Sequence, residues 1–146
     1  MSKEPANYRL IQRNKYLDDI GLDPWEYGIN WGDDSDKERL KAWKRQRKDY
    51  GFDERECYCV YRIYAEWLYS HLMMYREKAS KSIDLTYYTI EFEGRTYTQI
   101  EATDKIIKWI RYFLKNQGDM DKDEKSFDKL QKATRLWSEL LPYTWW

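Results

Sequence analysis

The sequence predicts a mainly α (α+β) fold: a helical domain around one long central helix, with a small β-hairpin beside it. Three observations carry this. Apolar and aromatic residues recur at three-and-four spacing over separate stretches, the period of a helix face. Ser35-x-x-Glu38, Asp53-x-x-Glu56 and Thr98-x-x-Glu101 are capping-box patterns that mark helix starts. Residues 85–97 alternate loosely and turn at Glu93-Gly94, as a hairpin does. At 146 residues the chain has room for a single domain, read as an irregular aromatic arm (1–33) packed on a helical body (34–146).

Residues 5–33 show no sustained period. Gly21, Asp23-Pro24, Gly28, Asn30 and Gly32 punctuate them, while Tyr8, Tyr16, Trp25, Tyr27 and Trp31 supply rings that a solvated tail would not need. One helical turn is expected at Asp23, with Pro24 at its first position. A charged surface helix follows from the Ser35 cap to about Lys48, its apolar side made by Leu40 and Trp43, and Tyr50-Gly51-Phe52 breaks it. The central helix is expected from Glu54 to Ala79. Its stripe is Cys57, Val60, Tyr61, Tyr64, Trp67, Leu68, His71, Leu72 and Tyr75; Tyr58, Ile63, Tyr69, Met73 and Met74 lie off it. Ile90, Phe92 and Tyr97 form the inward side of the hairpin. The Thr98 box opens a helix with Thr103, Ile106, Ile107, Ile110, Phe113 and Leu114 on one face, stopped at Gly118. A last helix aligns Phe127, Leu130, Ala133, Thr134, Trp137, Leu140 and Leu141 and ends at Pro142.

Composition removes several function classes. With 26 Lys+Arg against 26 Asp+Glu, neither an acidic DNA mimic nor a basic nucleic-acid coat fits, and DNA binding is disfavoured. No apolar run approaches the roughly 18 residues that a membrane span requires. Met1-Ser2-Lys3-Glu4-Pro5 lacks a signal-peptide pattern. Cys57 and Cys59 stand two apart on a predicted helix and cannot pair, so a reduced cytosolic protein with buried structural thiols is expected. Asp119-x-Asp121-x-Asp123 resembles a calcium loop but has Glu124 where glycine is needed and Leu130 where the bidentate Glu belongs. One His and two Cys cannot complete a zinc site. No metal and no cofactor are therefore expected. His71, on the stripe, reads as a core histidine. No nucleophile motif or phosphate-cradling glycine loop is present, so no catalytic residue is assigned.

The unusual feature is ring content: eight Trp and 14 Tyr. These residues are enriched at protein interfaces and in planar-ligand pockets. Tyr58, Arg62, Trp145 and Trp146 are the candidate binding residues, as aromatic and basic groups off the stripe or at the C-terminal end. The Tyr143-x-Trp145-Trp146 tail is expected to dock on the body as a clasp.

Four segments together carry a resemblance. They are Tyr50-Gly51-Phe52-Asp53-x-Arg55-Glu56, Ala65-x-Trp67-Leu68-Tyr69-x-x-Leu72-x-x-Tyr75, Glu93-Gly94-x-x-Tyr97-Thr98-Gln99 and Leu136-Trp137-x-x-Leu140-Leu141-Pro142-Tyr143-x-Trp145-Trp146. Residues 50–146 resemble, through them, a family of small proteins of tailed phages and prophages whose activity is unassigned. Where its members carry Trp-x-Leu-Asp, this chain reads Tyr58-Cys59-Val60-Tyr61, so no role for that carboxylate carries over. Small accessory proteins of phages are commonly inhibitors of host systems. The resemblance thus implies a counter-defence protein in the cytoplasm of a bacterial host. It would bind and inhibit a host immune protein by protein–protein contact, in the anti-CRISPR or another anti-defence manner. Two alternatives stay open: a sponge for a nucleotide immune signal in an aromatic and basic pocket, and a virion structural or assembly protein, marked by a homo-oligomer. Converging Arg or Lys in a deep aromatic pocket would favour the sponge; an exposed apolar patch would favour the protein inhibitor.

Overall fold

Three helices begin at a side chain that takes up one of their free N–H groups. Asn14 Oδ1 accepts from Leu17 N (3.2 Å) at the head of α1 (Lys15–Asp19), and Asp36 Oδ1 from Arg39 N (3.1 Å) at the head of α2 (Lys37–Tyr50). Thr98 Oγ1 accepts from Glu101 N (3.2 Å) at the head of α4 (Gln99–Lys115). Between α2 and α4 lie α3 (Val60–Ala79) and the strands β1 (Thr89–Phe92) and β2 (Arg95–Thr98); α5 (Asp123–Leu140) follows. The computed structural model describes residues 12–29, 36–117, 119 and 121–146. Over these the fold is the expected one, mainly helical with a two-stranded antiparallel hairpin. Tyr8, Asn30, Trp31, Gly32, the Ser35 cap and the Gly118 stop lie outside the described residues. The chain divides into two compact units, and the boundary falls inside α3, between Glu66 and Trp67.

In the first unit, α2 closes at Gly51, whose φ of 84° lets its N–H reach Arg47 O. The chain then turns Asp53 and Arg55 inward, to 1% and 0% exposure. Arg55 Nε and Nη2 fork onto the Asp53 carboxylate at 2.9 and 2.7 Å, and Nη1 donates to Ile29 O at 2.9 Å. The guanidinium carbon lies 4.3 Å from the centre of the buried Trp43 ring, and Arg47 Nε stands 3.5 Å from Asp53. This corrects the expected capping box. The fork holds the carboxylate, which accepts the Arg55 N–H, so only a 3₁₀ turn forms over Glu54–Cys57. The helix proper starts at Val60 and is about 30 Å long rather than about 39 Å. Asp23-Pro24 makes a turn, not a helix, with Glu26 N bonded to Asp23 O. Tyr27 is buried, its hydroxyl donating to Asp18 at 2.8 Å.

The buried face of α3 also differs from the expected stripe. Ala65, Leu68, Tyr69, Leu72 and Ala79 are buried, whereas Val60, Tyr61, Trp67 and His71 are exposed. His71 is no core residue: its ring stacks on Trp67 at 4.3 Å and its Nδ1 lies 2.7 Å from Trp67 O. Counting every ring as apolar rotated the stripe; the small and aliphatic positions mark the face that packs closely. Tyr69 is buried and its hydroxyl accepts from Arg111 Nε at 3.2 Å. Cys57 is exposed and Cys59 half-buried, so neither is a core thiol.

In the second unit, Ile90 pairs opposite Tyr97 in the hairpin. Glu93 and Gly94 both have positive φ, 48° and 78°, the tight turn whose twist suits a two-residue hairpin. Ile90, Phe92 and Tyr97 are buried as expected, and the hairpin lies against both α4 and α5. All six expected face residues of α4 are buried, with Gln99, Ala102 and Trp109 added. On α5 the face centres on Leu130, Ala133, Leu136 and Leu140, while Trp137 is half-buried and Thr134 and Leu141 are exposed. The Thr98 box is complete, with Glu101 Oε1 accepting from Thr98 N at 3.0 Å. Thr98→Ala should cost about 1 kcal/mol in urea unfolding, and Thr98→Ser should recover most of it.

Candidate functional site

Between α3 and β1 the chain is held by an Asx turn: Asp84 Oδ1 accepts from both the N–H (2.9 Å) and the hydroxyl of Thr86. Buried Leu85 accepts from Ile100 N at 2.9 Å, pinning this loop to the first turn of α4. After α5, a 3₁₀ turn over Leu141–Tyr143, with Pro142 inside it, redirects the tail. One side chain joins loop and tail. Gln99, 4% exposed, donates from Nε2 to Tyr143 O at 3.1 Å and accepts at Oε1 from Tyr88 N at 3.3 Å. From α3, the Tyr75 hydroxyl reaches Tyr143 O at 3.4 Å and Trp145 O at 3.5 Å.

These bonds shape a cleft of about 330 Å³ lined by Ile83, Asp84, Tyr87, Tyr88, Gln99, Tyr143 and Trp145. Tyr88 lies against Tyr143 with ring centres 5.0 Å apart, and Tyr87 meets Tyr88 edge-on at 4.8 Å. The rings remain open to solvent: Tyr87 is 74% exposed, Trp145 63% and Tyr88 39%. The backbone beneath them is fixed, and Tyr87 and Trp145 keep most of their surface open while Tyr88 is partly covered by its ring neighbours. Hydrogen bonds from the Thr86 hydroxyl and N–H hold the Asp84 carboxyl below the ordinary carboxylate range, so it is ionised at neutral pH. Among the described residues no Lys, Arg or His lines the cleft.

The sequence-derived candidates fall in different units. Trp145 is in the cleft wall, and Trp146 is 61% exposed beyond it. The tail is held through its carbonyls, with its last two rings outward, which corrects the expected ring-in clasp. Tyr58 is exposed in the first unit, ahead of α3. Arg62, also in the first unit, is committed to structure: Nη1 donates to Glu26 O at 2.7 Å and Glu66 Oε2 at 2.8 Å, and Nη2 to Gly28 O at 3.3 Å. Glu66 Oε1 accepts from Gly28 N at 2.8 Å. Burial pushes the Glu66 carboxyl above its ordinary value, with the Arg62 charge opposing.

The sequence reading missed Asp84, Tyr87, Tyr88 and Gln99. Tyr87 and Tyr88 lie in the bend between the Asp84 turn and β1, with Tyr87 N bonded to Asp84 O, and strand alternation could not single them out. Among the described residues, no group of three or more His, Cys, Asp or Glu side chains could hold a metal ion. Asp119 Oδ1 accepts from Asp121 N at 3.1 Å. No described helix is long and apolar enough to cross a membrane. The cleft therefore offers ring faces, contact area and one carboxylate. The chain matches no protein-family model, no curated protein and no solved structure.

Proposed function

We propose that this chain is a binding protein that works by protein–protein contact through the aromatic cleft of its second unit. Its partner, on this reading, is an immune protein of a bacterial host, which makes the chain a phage counter-defence factor. One observation carries the first part: open tyrosine and tryptophan rings stand on a backbone already fixed by Gln99 and Tyr75. Tyr and Trp dominate binding hot spots, and a surface ordered before contact loses less entropy on binding. The second part rests on the resemblance of residues 50–146 to small phage proteins. A nucleotide sponge is less well supported, because phosphates need cations. The cleft contributes Asp84, and Arg62 is spent on Glu66 and two backbone carbonyls.

The test is expression in bacteria that carry a defence system and are challenged with a phage that it restricts. The wild-type chain should restore plating against at least one system of a panel, and a Tyr88→Ala/Trp145→Ala variant should not. No restoration across the panel would remove the counter-defence reading. Full restoration by the folded double variant would remove the cleft from it.

A further inference from the structure

Given the cleft as a contact surface, we infer that it takes a guanidinium: an Arg side chain presented by the protein partner, laid against the rings and paired with Asp84. Several observations converge on a cation. The largely exposed rings of Tyr87 and Trp145, with the partly exposed Tyr88 beside them, present the negative lobes of their ring quadrupoles, which attract positive charge. Among the described residues, Asp84 is the one charged side chain in the lining, and Thr86 occupies only its Oδ1. The backbone N–H groups that open α4, the donors best suited to an anion, are already used. Thr98 N is bonded to Glu101, Ile100 N to Leu85 O and Glu101 N to Thr98, while both ends of the Gln99 amide are engaged.

Size and shape narrow the choice. At about 330 Å³ the cleft lies at the small end of ligand sites, with room for one long side chain rather than a dinucleotide. A guanidinium suits it better than an ammonium, because its plane stacks on rings while its fork meets a carboxylate. The first unit holds a guanidinium by the same chemistry: Arg55 lies over Trp43 and forks onto Asp53.

The probe is the capped tripeptide acetyl-Gly-Arg-Gly-amide, titrated into the full chain and followed through the Tyr88 and Gln99 amide signals and the Trp145 indole. Shifts should saturate with a Kd of about 1 mM, as expected for a single anchoring residue. The neutral citrulline peptide should bind about tenfold more weakly, and so should the Arg peptide to Asp84→Asn. That variant keeps the Asx turn, since an Asn oxygen accepts the same bonds. Equal binding of the citrulline peptide, no effect of Asp84→Asn, stronger shifts with adenosine monophosphate, or no shift at about 20 mM peptide would each overturn the inference. The two readings fail separately. Plating that depends on Tyr88 and Trp145 without Arg binding sinks only the guanidinium; Arg binding with cleft-independent plating sinks only the proposed function.

Discussion

Arg55→Ala is expected to lower stability by about 3–5 kcal/mol, the largest loss for any single substitution outside the apolar core. The change strands Asp53, whose side chain is 0% exposed and would keep only the backbone N–H of residue 55 and Arg47 at 3.5 Å. It also orphans the Ile29 carbonyl and uncovers the Trp43 ring. Arg55→Lys should recover little, because one ammonium cannot serve both carboxylate oxygens and Ile29 O together. Removing both charges, as Asp53→Leu with Arg55→Met, should cost much less than the sum of the single losses. Urea unfolding measures all three, and a loss under about 1 kcal/mol for Arg55→Ala would contradict the buried pair. The same site sets a pH dependence. Burial alone would raise the Asp53 carboxyl, but the hydrogen bonds and charge of Arg55, aided by Arg47, hold it below its ordinary value. Its contribution is therefore complete above the unfolded value of about 3.9 and is lost as pH falls through the lower folded value. The gap in melting temperature between wild type and Asp53→Asn should accordingly be constant near neutrality and close in acid. A gap independent of pH would contradict the assignment.

The second large effect concerns binding. Tyr88→Ala is expected to weaken partner binding by about 2–4 kcal/mol, the range of a hot-spot aromatic. Stability should fall by only about 1 kcal/mol, because the ring is partly exposed and the bond from Tyr88 N to Gln99 is made by backbone. Trp145→Ala should behave alike with still less effect on melting, since its ring is outward and its carbonyl makes the bond to Tyr75. Trp146→Ala, one residue beyond the lining, should matter less for binding than either. Calorimetric titration of each variant into the partner, beside its melting curve, separates affinity from folding. Parallel losses in both would make these rings structural.

What could be read in advance was short-range. The Glu93-Gly94 turn, the Thr98 box and the α4 face each depend on a few neighbouring residues, and the structure keeps all three. The start of α3 was not readable, because Asp53 answers to Arg55 and Trp43 rather than to the helix it was expected to cap. Arg62 looked uncommitted from its place off the stripe. The i,i+4 pairing with Glu66 was visible in the sequence, but its bonds to the Glu26 and Gly28 carbonyls were not. The cleft is assembled from a loop before β1, from Gln99 and from the C-terminal tail, and the role of Gln99 exists only once loop and tail are placed on it.

The measurement that bears most directly on the cleft as a contact surface is native mass spectrometry of the chain purified from a lysate of its bacterial host, run beside the Tyr88→Ala/Trp145→Ala variant at matched foldedness. The wild type should carry a host protein chain which the variant has lost. Retention of that chain by the variant, or a bound nucleotide mass in place of a protein on the wild type, would contradict this role of the cleft.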